Sequence, residues 1–254
     1  MILDSRFPFG QRLSLVQQAD RQPKRAFVLG VYSSAVHARW VNTEGQTIVR
    51  ALAVASEPYI FWRGDGADEI IKRIVIPPLA GKLLPADELE NGPTGRALDE
   101  FILGPLGLTR ENTWLCDLVP HSCVNTLQRE AIINHYEPLR ENFALTEASI
   151  PDIPKEMTDA ARTSAILDEL KESQAELVVL LGDEPVRWFL NRFDSRYRCL
   201  GDFGRNDRSY GRMHRIRLAD RPHWVLPLVH PRQAARLGHT SPEWNKLHQS
   251  WVDK

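Results

Sequence analysis

Cysteine is scarce in this chain: three residues, Cys116, Cys123 and Cys199, among 254. An odd, sparse set excludes a disulfide framework and fits a reducing compartment. There is no CxxC, and Cys116 and Cys123 stand too far apart for a zinc knuckle. A thiolate-held iron–sulfur cluster needs four cysteines, so no metal, no cluster and no other cofactor is expected. Net charge is also missing. The formal value is -1, so no global basic field advertises nucleic acid. No apolar run approaches a membrane span, and residues 1–11 lack the apolar core of a signal peptide. The expectation is a soluble, cytoplasmic protein with no membrane partner. Glycine loops that cradle phosphates are absent as well, with neither GxxxxGK[ST] nor GxGxxG. Without a GxSxG elbow, Ser33 and Ser34 are weak nucleophile candidates.

What is present is an ordinary apolar share of 43%, enough to bury a sizeable core. One stretch organises the reading. An apolar run over 26–30 breaks at Gly30 and continues through Val31, Tyr32, Ser33 and Ser34 to His37 and Trp40. Open α/β sheets place ligands beyond the carboxyl ends of their strands. The turn from Gly30 to His37 is therefore expected to be the mouth of a site. Further strands are expected at 47–54, at 113–119 (broken by Pro120), at 177–181 and at 225–229. Helical spacing marks 65–76, 94–103, 128–143 (kinked or split at Pro138), 158–172, 184–190 and the tail from Pro242. Residues 1–25 read as an N-terminal arm or short helix, and 77–95 as a loop. Strands alternating with helices argue for a mostly parallel sheet with helices on both faces, in one domain over 1–254.

Three polar clusters recur at strand ends. They are Tyr32, Ser33, Ser34 and His37; Asp117, His121, Ser122 and Asn125; and His230 with Arg232. In a parallel sheet such ends share one edge, and that convergence marks a cleft. A separate excursion over 191–222 is rich in arginine. From Arg187 to Arg221 there are ten arginines against four aspartates, with Trp188, Phe189, Phe193, Tyr197, Phe203 and Tyr210 between them. Arginine forks pair with phosphates and aromatic faces stack on bases.

Four stretches together resemble the uracil-DNA glycosylase superfamily. The opening strand with Gly30-Val31-Tyr32-Ser33-Ser34-Ala35 resembles the family's first motif, a glycine-led turn. Gly92-Pro93-Thr94-Gly95-Arg96-Ala97-Leu98-Asp99, with Gly107-Leu108-Thr109-Arg110-Glu111-Asn112, resembles the helix and turn before its second core strand. Residues 177–190 resemble the strand, glycine and helix that follow, and 225–232, with His230-Pro231, the second motif. The resemblance implies a three-layer α/β/α fold around a short parallel sheet. It implies a hydrolase that flips a deaminated or modified base out of DNA and cleaves its N-glycosidic bond. On this likeness His230 bonds the departing base, Asp117 or Asn125 reads its edge, and His37 or Asp117 serves the water. Gly30, Val31, Tyr32, Ser33, Ser34, Asn125 and His121 line the pocket. Arg205, Arg208, Arg212, Arg232, Gln233 and Arg236 meet DNA, residues 232–237 forming the loop that wedges into the duplex. No metal is expected, and the protein is expected to be a monomer.

The first motif departs from the family. Where an acid or amide positions water, this chain has Val31 and Tyr32, and the motif's proline is Ser33. If Asp117 replaces the family's asparagine, its ionised edge only accepts hydrogen bonds, which suits a base presenting an amino group. Two other readings stand beside the enzyme. One is a non-catalytic nucleic-acid-binding module on the same scaffold, and the other a hydrolase of free nucleosides or small glycosides.

Overall fold

Leu177-Val178-Val179-Leu180-Leu181 is the strand on which the larger sheet is built. Four of its five residues have no exposed surface, as a strand covered on both faces requires. The computed structural model describes residues 4–238 and 240–254. In chain order its strands are β1 (Ala26–Ser33), β2 (Ala35–Val41), β3 (Thr47–Ser56), β4 (Lys82–Pro85), β5 (Thr113–Ser122), β6 (Leu177–Leu181), β7 (His214–Leu218) and β8 (Arg221–Leu228). Its α-helices are α1 (Ala67–Lys72), α2 (Pro93–Leu98), α3 (Thr126–Ala131), α4 (Glu137–Arg140), α5 (Ala160–Ser173), α6 (Asp183–Trp188), α7 (Pro231–Ala234) and α8 (Pro242–Val252). Packing resolves two compact units. The first takes residues 1–16, 33–93 and 120–155, the second 17–32, 94–119 and 156–254. One domain is the expectation from sequence. The units are so interleaved along the chain that no single cut would part them.

The second unit holds a five-stranded sheet in the order β5-β1-β6-β8-β7. β1, β6 and β8 run parallel, and β7 lies antiparallel to β8 at the edge. The fold is thus mixed α/β, with a mostly parallel sheet flanked by helices, and is consistent with α/β/α layering. α5 shows how a helix is fixed to it. The Asp159 side chain accepts the Arg162 N–H at 2.7 Å and starts the helix. Arg162 then reaches past the helix to the carbonyls of Leu118 (3.0 Å) and Asp117 (2.6 Å) and pairs with Glu169 at 3.2 Å. Glu169 also accepts the Trp114 indole N–H at 3.1 Å. Each charge is compensated where it is buried, which such a pair needs if it is not to cost stability.

The first unit carries an antiparallel sheet ordered β3-β2-β4. Its core meets at Phe9, Trp40 and Tyr136, with Phe9 edge-on to both other rings at 5.2 Å. The Tyr136 hydroxyl accepts the Phe9 N–H at 2.9 Å and donates to the Thr146 carbonyl at 2.6 Å.

Several expectations are corrected. β1 does not stop at Gly30 but runs on to Ser33, and β2 starts at Ala35. The expected turn over Gly30 to His37 is thus two strands around Ser34. Gly30 is not among the glycines with positive φ, and Val31, Tyr32 and Val36 all favour extended backbone. Pro120 does not break β5, which continues to Ser122. β5 is an edge strand, where a missing N–H is tolerated, and the Pro120 carbonyl still accepts the Val16 N–H at 2.8 Å. The loop over 77–95 contains β4, too short to show a period. Around Pro138 the helix widens into a π turn at Ile132–Tyr136 and continues, an adjustment that absorbs the lost donor. The 94–103 helix likewise becomes a π turn at Asp99–Leu103.

Gly92 has φ +72°, and a Cβ there would stand 1.9 Å from the Arg63 carbonyl carbon and 2.1 Å from the Gly64 nitrogen. Backbone cannot yield as a flexible side chain does. Gly92→Ala is expected to cost more than about 2 kcal/mol, read as a lower urea midpoint with unchanged slope. A midpoint equal to wild type would refute this packing.

Candidate functional site

Within the second unit the chain leaves β1 for the edge strand β5, and after β6 builds outward on the other side through β8. That reversal is a topological switch point at the carboxyl ends of β1 and β6, where open α/β sheets place their ligands. Gly30, Val31 and Tyr32 lie in the carboxyl half of β1, Gly182 follows β6, and His230 follows β8 by two residues. Gly182 has φ 90° and ψ -169°, a conformation essentially reserved for glycine. A Cβ there would lie 3.3 Å from the His230 Cβ. The close passage of β6's end beneath His230 therefore requires this glycine.

His230 is half-buried and caps the short helix α7. Its Nδ1 accepts the Arg232 N–H at 3.3 Å. Accepting at Nδ1 leaves the proton on Nε2, which is then a donor. Burial, and after it the Arg232 charge, pulls this imidazole from its ordinary 6.5 down to about 4. His230 is therefore a neutral hydrogen-bond donor at neutral pH.

Sequence reading missed what holds this position. The Tyr210 hydroxyl accepts the Val229 N–H at 3.0 Å and sits 2.7 Å from His248 Nδ1. His248 Nε2 lies 2.8 Å from the Phe101 carbonyl. With Nε2–H donating to that carbonyl, Nδ1 accepts the Tyr210 proton, and every group in the chain is satisfied. The residue before His230 is so tied to α8 and to the π turn at Asp99–Leu103. A second tie joins the basic excursion to the end of β6, where Asp183 Oδ1 accepts the Leu200 N–H at 2.7 Å. No periodic signal marks either residue: Tyr210 reads as a stacking aromatic of the basic excursion, and sequence reading passes over His248.

Asp117 is buried, 3% exposed, in β5. Its neighbour Cys116 lies 3.2 Å from the Arg162 guanidinium, so alternation turns Asp117 to the sheet face away from α5. The Cys116 thiol is pushed well up by burial, so it is no nucleophile.

The other expected catalytic and pocket residues, Ser33, Ser34, His37, His121 and Asn125, belong to the first unit. The Asn91 side chain grips both backbone groups of His37: it accepts the His37 N–H at 2.8 Å and donates to the His37 carbonyl at 2.9 Å. The Ser122 hydroxyl donates to the Ser34 carbonyl, Ser33 is buried, and Ser34 is exposed. His121 is buried, its Nδ1 3.0 Å from the Ser122 carbonyl. Asn125 is exposed and caps α3, accepting the Gln128 N–H at 2.9 Å, so that side-chain oxygen is engaged. Sequence reading passed over Asn91 and over Glu57, a carboxylate buried to 4% exposure just after β3.

All ten arginines from Arg187 to Arg221 are exposed. No ion pair among the described residues involves Arg205, Arg208 or Arg212. Two of the four aspartates are engaged: Asp194 pairs with Arg196 at 2.7 Å, and Asp202 accepts the N–H groups of Arg198 (2.5 Å) and Cys199 (3.0 Å). The aromatics correct the stacking expectation. Phe189, Phe203 and Tyr210 are buried, and Tyr197 lies flat on Phe203 at 4.0 Å. The three buried rings hold the excursion together and offer bases no free face, while Trp188, Phe193 and Tyr197 are partly exposed. Arg196 lies over the Tyr197 ring at 5.4 Å and Arg205 over Trp244 at 5.9 Å.

Two surface grooves lie in the second unit, one of about 500 Å³ beside α7 and α8 and one of about 430 Å³ beside Tyr210 and Trp251; neither is lined by His230. Among the described residues no group of three or more His, Cys, Asp or Glu side chains could hold a metal, and no helix is long and apolar enough to cross a membrane. No protein-family model and no curated protein matches the chain.

Burial lowers the imidazoles of His214, His223, His230 and His248. The unfolded chain thus binds more protons than the folded one below about pH 6.5, and stability must rise with pH in that range. We expect melting temperatures to climb from pH 4.5 to 7 and the His230 ring to titrate near pH 4 by NMR. A midpoint near 6.5 would remove the neutral-donor assignment.

Proposed function

We propose that this chain is a DNA N-glycosylase of the uracil-DNA glycosylase kind, which hydrolyses the bond between sugar and a flipped, deaminated or modified base. The observation that carries this reading is the state of His230. Its Nδ1 is occupied by a backbone N–H and its ring is neutral, so Nε2–H is the donor, at the edge where the parallel strands end. As the glycosidic bond breaks, negative charge grows on the departing base and positive charge on the sugar. A donor that meets the base oxygen lowers that barrier most where the charge is greatest, in the transition state. The sugar passes through an oxocarbenium-like state that water captures. Asp117, a buried carboxylate on β5, is assigned to that side of the reaction, as counter-charge and acceptor of the water proton. Exposed Arg205, Arg208 and Arg212, without acidic partners among the described residues, support a phosphate-bearing substrate. No other chemistry is required of Gly30, Val31, Tyr32, Ser33 or Ser34 than to shape the strand ends.

A second reading has its own observation. The Gly30–Ser34 stretch bears no carboxylate or amide, while the arginine face is exposed. A stretch without a catalytic side chain, together with exposed, not fully bared, arginines, would suit a module that binds nucleic acid and releases nothing.

One experiment separates them. Single- and double-stranded oligonucleotides carrying uracil, hypoxanthine or xanthine are incubated with the protein, and free base is measured. The enzyme reading expects release, falling about 10²- to 10³-fold in His230→Ala and sharply in Asp117→Asn, with Glu57→Gln as the comparison carboxylate. If no base is released from any substrate and His230→Ala behaves as wild type, the enzyme reading fails. Salt-dependent binding without release then selects the module. In either case replacing Arg205, Arg208 and Arg212 should flatten the salt slope by about one per lost phosphate contact.

A further inference from the structure

Beyond His230 the chain makes one turn of helix and then enters a strained conformation. Arg236 has φ +56°, left-handed backbone that a residue with a Cβ adopts at a cost. What it gains is placement. Its Nε donates to Asn245 Oδ1 at 2.5 Å. Asn245 is itself buried, its Nδ2 held by the carbonyls of Gln233 (3.2 Å) and Ala234 (2.7 Å). Gln233 is locked in turn, its side chain donating to the Ser241 carbonyl at 2.6 Å and accepting the Ser241 N–H at 2.8 Å. The Arg236 side chain is therefore anchored through Nε, and its two terminal nitrogens remain for a bidentate partner.

That guanidinium borders the groove of about 500 Å³ beside α7 and α8. Lys246, exposed and without an ion pair among the described residues, is its second cation. Phe101 and Pro242 give it an apolar wall, and Gln249 adds an amide. Among the described residues no carboxylate lines it. Two cations, one of them fixed in advance, with no acid to neutralise them, form a receptor for an anion with two oxygens in reach of one fork.

We infer that Arg236, Lys246 and Asn245 build a phosphate clamp, Asn245 positioning the arginine and the two cations holding one phosphate group. This rests on the reading of the chain as a nucleic-acid-binding protein and adds a site apart from His230. The phosphate is that of a strand backbone or of a nucleotide's terminal monoester, which share this chemistry.

The test uses the full chain. Fluorescence anisotropy follows a short labelled single-stranded oligonucleotide, and NMR follows titration with a nucleoside 5′-monophosphate and with inorganic phosphate. Arg236→Gly and Lys246→Gln are compared with wild type. Glycine is at ease at φ +56°, so Arg236→Gly should melt at or above the wild-type temperature while affinity falls roughly tenfold. Lys246→Gln should weaken binding less. Loss confined to the oligonucleotide assigns the clamp to strand backbone, and loss for the monophosphate too assigns it to terminal phosphate. Unchanged affinity for all three probes in both variants overturns the inference. Base release is measured on the same proteins. Release with unchanged affinity in the variants would sink the clamp and spare the glycosylase. Lost affinity without release by wild type would do the reverse.

Discussion

Parallel strands that end together leave their last peptide groups without ladder partners, and in the second unit the satisfaction of those groups fixes everything around His230. Beyond β6, the Gly182 N–H turns back to the Leu228 carbonyl at 2.8 Å. Beyond β8, the Val229 N–H is taken by the Tyr210 hydroxyl. A buried backbone donor left alone costs about 1–3 kcal/mol, so these are conditions on the fold. They also determine which side chain comes next. His230 emerges from backbone pinned on both sides, by Tyr210 before it and by the cap of α7 after it.

The same hydroxyl explains why an arginine-rich excursion is ordered. Ten like charges in one stretch repel and would favour an extended chain. Here the aromatics between them turn inward, Tyr197 on Phe203 and Phe189 against Phe193. Asp183 and Tyr210 fasten the excursion to the ends of β6 and β8. The charges are thereby carried outward on a rigid base and confined to one region of a chain whose formal charge is only -1. Local field and global charge are decoupled, and for that reason composition alone gave no sign of the local one.

Elements dominated by burial were legible in the residues. β6 was readable as a continuous apolar run, and α5 and α8 as helical spacing over 158–172 and from Pro242, while their caps, Asp159 and Ser241, emerge only in the structure. What could not be read depended on partners distant in sequence. Pro120 stands in a strand because β5 is an edge, and edge position is a property of the sheet. Gly30 looked like a turn because glycine often is one, but its neighbours Val31 and Tyr32 continue the ladder. Asn125 looked like a base reader and caps a helix, since asparagine serves both purposes with the same oxygen. In the site, His230 was visible because a histidine followed by proline closes a strand. The Tyr210–His248 bridge was not, because it spans 38 residues and neither member has a distinctive neighbour.

Charge at His230 is where these constraints meet the proposed chemistry. A protonated imidazole would attract a departing anion more strongly, yet it would attract every other anion as well, phosphates included. A neutral ring at Nε2–H interacts weakly with an uncharged base and strongly with the charge that develops as the bond breaks, so its contribution grows along the reaction. Burial does most to keep it neutral, and Arg232 adds to that from both its ends. Its backbone N–H occupies Nδ1, the nitrogen that would otherwise take the second proton, and its guanidinium adds to the effect of burial in opposing a positive ring. A residue expected to face DNA thus also sets the state of the histidine two positions before it. Replacing its side chain alone would remove the charge and leave the cap.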